Sequence, residues 1–196
     1  MKFRDDIDVH STWIVSDTHW GHENIVGYSA RPEDHDLVML EQWRAYVPDD
    51  ATVLHLGDLS WKNNAWFRNL IAPRLTGARK LLILGNHDKS RPSFYKQCGF
   101  QIVRPFAITH ASYEVEFDHY PADRRLMDDQ WRVHGHIHNN GYADSGRDPE
   151  TGERNPHQLV PFLRNHINLS VEQTRYRPVN LGLLLDAAIL GRLPNA

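Results

Sequence analysis

A chain of 196 residues, 40% hydrophobic and 24% charged, is long enough for one sizeable core and too short for a catalytic domain plus a large cap, so residues 1–196 are expected to form a single domain. The formal net charge of -3, from 22 Lys and Arg against 25 Asp and Glu, excludes a whole-protein field that would draw in nucleic acid. The lone Cys98 excludes an intramolecular disulfide. With no apolar run of signal-peptide or membrane-spanning length, the expectation is a cytoplasmic protein without a membrane partner.

In chain order, Trp13 to Ser16 reads as a buried strand and ends on Asp17-Thr18-His19. Glu33 to Tyr46 places Leu37, Leu40, Trp43 and Val47 at helical spacing. Thr52 to Leu56 is a second strand and ends on Gly57-Asp58. Asn63 to Leu75 repeats the helical pattern with Trp66, Phe67, Leu70 and Ile71, capped by Asn63 or Asn64. Lys80 to Leu84, a third strand, delivers Gly85-Asn86-His87-Asp88, and Pro92 suits the first turn of a short helix. Phe100 to Thr109 and Tyr113 to Phe117 predict an antiparallel pair leading to His119. After Gly135-His136-Ile137-His138, the turn formers and charges from Asp144 to His157 predict a loop, and Asn180 to Leu190 a closing helix. Strand and helix alternation followed by consecutive strands predicts an α/β (α+β) chain with mixed sheets covered by helices.

The chemistry lies at the strand ends, where α/β proteins place it. Taken singly, the first three motifs read as turn chemistry, with Gly allowing a bend and Asp or Asn bonding nearby backbone, whereas Gly135-His136-Ile137-His138 is harder to read so, because two imidazoles on an apolar strand gain little from burial. Four in order, each rich in His, Asp or Asn, instead describe a site for two divalent ions, which can clamp a phosphoryl group and activate a water between them. Asp58 is the natural bridge, because the other carboxylates come with partners of their own. Asp17 and His19, like His136 and His138, are spaced i, i+2, so in extended backbone both side chains would project to one side.

This set of motifs resembles the calcineurin-like metallophosphoesterase superfamily, small single-domain members in particular, whose pattern is D-x-H, G-D, G-N-H-[DE], a later His, and G-H-x-H. The resemblance covers Asp17 to His138 and extends less specifically to Asn168-Leu169-Ser170-Val171. It implies a four-layer αββα sandwich of two mixed sheets flanked by helices. It also implies one metal held by Asp17, His19, Asp58 and His138 and a second held by Asp58, Asn86, His119 and His136, with His87 as general acid oriented by Asp88. The ligand set suits Mn, Fe, Zn or Ni. His119 takes the isolated histidine position in preference to His110, which reads as a turn residue, although Asp118 stands where a small Ser often sits in the family.

The resulting expectation is a binuclear phosphoesterase that hydrolyses a phosphomonoester or phosphodiester of nucleotide-like character, by attack of a hydroxide held between the ions. A metal-dependent nuclease is the alternative within hydrolases, to be favoured by a basic patch flanking the metals, and a non-catalytic scaffold is the alternative outside them. His22 and Arg31 are candidate substrate contacts, and Arg147, Arg154 or Arg164 could select substrate from the loop after the last motif.

Overall fold

The computed structural model describes residues 1–61, 65–139 and 165–191. In chain order these form β1 (Lys2–Phe3), β2 (Thr12–Val15), α1 (Ile25–Ser29), α2 (His35–Tyr46), β3 (Thr52–His55), β4 (Arg79–Ile83), α3 (Pro92–Gln97), β5 (Phe100–Val103), β6 (Phe106–His110), β7 (Tyr113–Phe117), β8 (Gln130–His134), β9 (His166–Asn168), β10 (Val179–Asn180) and α4 (Leu181–Ile189). Between β3 and β4 a π-helical turn, Phe67–Ile71, runs into the 3-10 turn Ala72–Arg74.

Two mixed five-stranded sheets result, flanked by helices as the resemblance implies. One has the order β10-β2-β3-β4-β5 and the other β1-β6-β7-β8-β9. In the first, β2 to β5 are parallel and β10 is antiparallel to β2. Its strands alternate between two buried faces. Ile14, Leu54, Leu81 and Ile83 meet Phe106, Val115, Phe117 and Val133 of the second sheet, whereas Val15, Val53 and Leu82 meet Met39, Trp43, Phe67 and Phe94 of the helical cover. Burial on both faces is why these strands read as continuous apolar runs.

The helical expectations are met with shifts in which side chains point inward. In α2, Met39, Leu40 and Trp43 are buried but Leu37 is exposed. After β3, Phe67 and Ile71 face the core one helical turn apart, and Trp66 and Leu70 face solvent. The caps Asn63 and Asn64, and the loop containing Arg147, Arg154 and Arg164, lie outside the described residues. Asn180 caps α4 by accepting the Leu183 N–H.

Phe100 to Thr109 is not one strand. Phe100–Val103 pairs with β4 in the first sheet, and Phe106–His110 pairs with β1 and β7 in the second. Pro105 lies between them, lacks the N–H a ladder needs and restricts Arg104 before it, so the chain changes sheets there. The antiparallel pairing of β6 with β7 holds, closed by Ala111 and Ser112 at φ 46° and 72°, both left-handed as a two-residue hairpin requires.

The two sheets meet at the C-terminal ends of β2 and β9, where Ser16 and Ser170 form a parallel bridge. There the Ser16 N–H bonds to Leu169 O (3.1 Å) and the Val171 N–H to Ser16 O (3.2 Å). All four motifs open into this junction.

Candidate metal centre

Two groups of ligand-type atoms converge at the junction: Asp17, His19 and His138, and Asp58, His119 and His136. Asp58 faces both. Its Oδ2 lies 3.4 Å from His19 Nε2 and 3.4 Å from His119 Nε2, and its Oδ1 accepts the His87 N–H at 2.8 Å. The bridging position therefore falls to one oxygen, with the other fixed by backbone. Asn86 joins the second group, since its Oδ1 is 2.9 Å from His119 Nε2 and 2.9 Å from His136 Nδ1, which are themselves 3.2 Å apart.

The backbone that presents these side chains is not extended. Asp17, His19, Asp58, His136 and His138 have φ of 58°, 48°, 55°, 73° and 50°, a left-handed region that non-glycine residues seldom occupy. The i, i+2 pairs therefore converge through paired left-handed turns and not through strand pleating. Strain of this kind persists only where the surroundings over-determine it. Here adjacent loops continue the parallel ladder, with the N–H groups of Asp17, His19 and Trp20 bonded to the carbonyls of Gly57, Asp58 and Leu59. The motif glycines permit this closeness. A Cβ on Gly135 would overlap the Asp17 carboxylate and the Ser16 hydroxyl, and one on Gly57 would lie 2.7 Å from both Gly85 N and His119 Nδ1.

Metal ions fit this donor set. Ligand atoms 2.0–2.2 Å from one ion lie about 3 to 3.5 Å from each other, and the Asn86, His119 and His136 triangle has edges of 2.9, 2.9 and 3.2 Å. His119 Nδ1 faces Leu56 O at 2.9 Å and so carries a proton, which leaves Nε2 as the ligand nitrogen. His19 is buried, and neither of its ring nitrogens has a hydrogen-bond partner among the described residues. Burial pushes its pKa well below the ordinary value, ahead of the opposing pull of Asp58, so the ring is held neutral as a ligand must be. Burial also opposes charge on His119, but the Asp58 and Asp17 carboxylates outweigh it and raise its pKa to about 9. Two carboxylates facing each other across buried imidazoles call for positive charge between them.

Further side chains brace each group. His138 Nδ1 donates to Glu172 Oε1 at 3.0 Å, which turns Nε2 toward Asp17 Oδ1 at 3.7 Å. Burial would raise the Glu172 carboxyl, but the His138 bond and the Arg31 charge hold it below the ordinary carboxylate range. Arg31 is buried and fully committed. Its Nε donates to Glu172 Oε1 (2.7 Å), one terminal nitrogen to Thr18 O (2.8 Å) and the other to Asp17 O (2.6 Å). This corrects the reading of Arg31 as a substrate contact: the burial that makes it a good brace removes it from any ligand. On the other side Asp118 Oδ1 accepts the His119 N–H (2.7 Å), while Oδ2 pairs with Arg132 (2.7 Å), whose Nε holds Tyr120 O (3.0 Å). Where the family often has a small Ser, Asp118 thus fixes the turn that carries His119.

Asp88 also departs from expectation. Its carboxylate accepts the N–H groups of Asp58 (2.7 Å), Leu59 (3.0 Å) and Gly85 (2.9 Å), tying two motif loops together, and among the described residues it makes no bond to the His87 ring. Burial raises its pKa to about 6 against these bonds. His87 is placed instead by its backbone bond to Asp58 and by ring contacts with His19 (5.3 Å) and Trp61 (5.4 Å). His22 completes that cluster, stacked on Trp61 at 3.7 Å and edge-on to His19 at 5.8 Å, its pKa lowered to about 4 by burial and by the charges of His87 and Arg31. It supports the rings around His19 and touches neither carboxylate. His110 lies elsewhere, bonded to Asp186 of α4 at 2.9 Å.

Sequence reasoning missed Glu172, Arg132 and Trp61, and gave Ser170 no role of its own. Glu172 had a signal: it ends the apolar stretch Leu169-Ser170-Val171 as the other acids end theirs. Ser170 Oγ, next to it, donates to Asp17 Oδ2 at 3.1 Å.

Known proteins resemble this chain in sequence and in fold. An uncharacterized protein of Methanocaldococcus jannaschii is 27% identical over 95% of this chain and 96% of its own length. The gene 66 protein of Mycobacterium phage L5 is 31% identical over 65% of this chain and 77% of its own. The fold recurs in a crystal structure of a protein of unknown function from Aquifex aeolicus, with a TM-score of 0.62 at 24% identity, covering 89% of this chain and 97% of the other. The calcineurin-like phosphoesterase model matches residues 10–179, which span every motif gathered at the sheet junction, and the chain belongs to that family.

Proposed function

We propose that this protein is a binuclear metal-dependent phosphoesterase acting on a phosphomonoester or phosphodiester of nucleotide-like character. The observation that carries the reading is the position of Asp58 Oδ2, equidistant at 3.4 Å from His19 Nε2 and His119 Nε2 and so shared by two ligand groups. Asp17, His19, Asp58 and His138 would hold one divalent ion, and Asp58, Asn86, His119 and His136 the other. When bound, such a pair supplies Lewis acidity toward the phosphoryl oxygens and a water nucleophilic at neutral pH.

The residues supply the rest. Glu172 and Leu56 O take the outward protons of His138 and His119, which fixes the tautomers that leave Nε2 free. His87, half-buried beside His19 and without a place in either ligand group, is positioned to give a proton or hydrogen bond to the departing oxygen. The His22 and Trp61 rings limit its movement. Asp88 acts through the loops it ties and not on the substrate.

The test is a screen for phosphate release and diester cleavage on a nucleotide panel, with the protein loaded in turn with Mn, Ni, Zn and Mg. Hydrolysis that depends on the metal and needs two ions per chain is the expected result. Turnover unaffected by a chelator, or full activity with one ion, would overturn the reading.

A further inference from the structure

The chain is acidic as a whole, yet one cleft of about 500 Å³ is lined by Arg68, Lys89 and Arg91 together with Ser90 and Ser93, and no acid is among the described residues that line it. Several arginines elsewhere are neutralised: Arg4 and Arg79 by Asp6, Arg124 by Glu116, Arg132 by Glu116 and Asp118, and Arg31 by Glu172. In the cleft they are not. Among the described residues Arg68 bonds the amide oxygens of Asn69 (3.1 Å) and Gln97 (3.3 Å), and the exposed side chains of Lys89 and Arg91 form no ion pair. Three cations on one cleft wall give it a local positive potential that attracts an anion even on a chain of net negative charge.

Its position ties the cleft to the metal centre. Lys89 to Arg91 follow directly on Gly85-Asn86-His87-Asp88, and the Lys89 N–H bonds to His87 O at 2.8 Å. Two Cα steps of 3.8 Å cannot separate Lys89 from His87 by more than about 7.6 Å. The segment is anchored, since the Ser90 N–H bonds to the hydroxyl of buried Tyr95 at 3.2 Å and Pro92 starts α3 immediately after it.

We propose that Arg68, Lys89 and Arg91 form a phosphate-binding subsite on the His87 side of the metal centre, so that the preferred substrate carries a further phosphate on its leaving group. This rests on the phosphoesterase reading and names its substrate class. Two arginine forks and a mobile ammonium match the oxygens of a phosphate better than those of a neutral alcohol or aryl group. A nucleic acid strand offers that phosphate as its next diester, and a nucleoside triphosphate offers it along its anhydride chain.

The experiment compares wild type, the double variant K89A/R91A and R68Q, all Mn-loaded and matched for thermal stability. The substrates are bis(p-nitrophenyl) phosphate, which has no further phosphate, a short oligothymidylate and thymidine triphosphate. Wild type should prefer at least one phosphate-rich substrate over the bis-ester. In the double variant that preference should fall tenfold or more, mainly through KM, and R68Q should shift it in the same direction. Whichever substrate carries the preference identifies the source of the phosphate. For the oligothymidylate, the slope of log affinity against log salt should shrink by about 1.4, roughly 0.7 for each lost contact. A preference unchanged in the variants would overturn the subsite. If Mn-loaded wild type cleaves none of the three substrates, it is the diesterase part of the phosphoesterase reading that fails. Binding of labelled oligothymidylate and of thymidine triphosphate then judges the subsite alone, and equal affinity in wild type and double variant would reject it.

Discussion

The two halves of the metal centre use the same donor types but are braced in different ways. The half formed by Asp17, His19 and His138 is backed by a side-chain ion pair, in which Glu172 takes the His138 proton and Arg31 holds both Glu172 and the carbonyls of Asp17 and Thr18. In the half formed by Asp58, Asn86, His119 and His136 the ligand ring itself is backed by main chain, since Leu56 O takes the His119 proton, while the Asp118–Arg132 side-chain pair fixes only the turn around it. A side-chain brace can be removed by one substitution and responds to charge. A backbone brace cannot be removed in that way, so the second half should be the sturdier. Asp58 belongs to both halves, and the comparison can be broken or sharpened from there outward.

The largest effect is expected from Asp58→Asn. The amide oxygen can keep accepting the His87 N–H, which preserves the loop, but the amide nitrogen then faces His19 and His119 where Oδ2 stood. Both ions should bind more weakly, and hydrolysis should fall by at least about 10³-fold, the scale of losing a preorganised electrostatic group. Metal analysis after dialysis checks this. Two ions retained at wild-type affinity would show that the halves do not share Asp58.

His87→Ala separates chemistry from metal binding. The ring touches His19 and Trp61 but stands in neither ligand group, so both ions should remain while turnover drops roughly 10²- to 10⁴-fold, the range of a positioned general acid. The loss should be large on an alkyl or nucleotide ester, whose alkoxide needs a proton, and small on a nitrophenyl ester. Equal losses would assign His87 to electrostatic stabilisation of the phosphoryl group instead.

How much of this was legible in the sequence follows the same division. The convergence of the candidate ligands could be read because each sits at the end of an apolar strand within a short motif, and strand ends converge in a two-sheet α/β fold. The braces could not. Arg31 and Glu172 are 141 positions apart and look like surface charges until β9 places the end of its strand beside the first loop. The left-handed backbone at Asp17, His19, Asp58, His136 and His138 is invisible too, because these are not residues whose presence announces a positive φ. Asp88 was misassigned because adjacency to His87 suggested orientation, whereas three orphan N–H groups in two loops compete for the same carboxylate and win. The sheet change at Pro105 was legible in principle, and the continuous apolar character of the residues around it hid it.

Glu172→Gln tests the proposed fragility of the first half directly. The amide still accepts from His138 Nδ1, but it no longer pairs with Arg31 or strengthens the imidazole as a donor. One of two metal-binding steps in a calorimetric titration should weaken by about 10- to 100-fold, the usual cost of losing a carboxylate behind a ligand histidine, and the other should stay near its original affinity. Equal weakening of both steps would mean that the ions are too tightly coupled for the halves to have separate stabilities.

The smallest effect concerns His55, which joins the loops of the two halves from beneath. Gly57 N–H donates to its Nδ1 at 3.2 Å, so the proton is on Nε2 and points to Thr18 Oγ1 at 3.0 Å, which in turn donates to Leu59 O at 2.8 Å. This chain works only with a neutral ring, and burial, ahead of the opposing attraction of Asp17 and Asp58, lowers its pKa to about 3. The unfolded chain has an ordinary histidine with a pKa of about 6.5. Below that value the unfolded state takes up a proton that the folded state refuses, so the stability contributed is fully present above about pH 6.5 and drains as pH falls toward about 3. Thermal unfolding of chelator-treated protein should therefore show a melting temperature that falls more steeply between about pH 6.5 and 5 for wild type than for His55→Gln, which has no such proton to bind. The difference should be a few degrees, about 1 kcal/mol for a chain of this size. Parallel pH profiles would mean that His55 already takes up its proton in the folded state, and the Gly57 to Leu59 relay would then need the opposite tautomer or another donor.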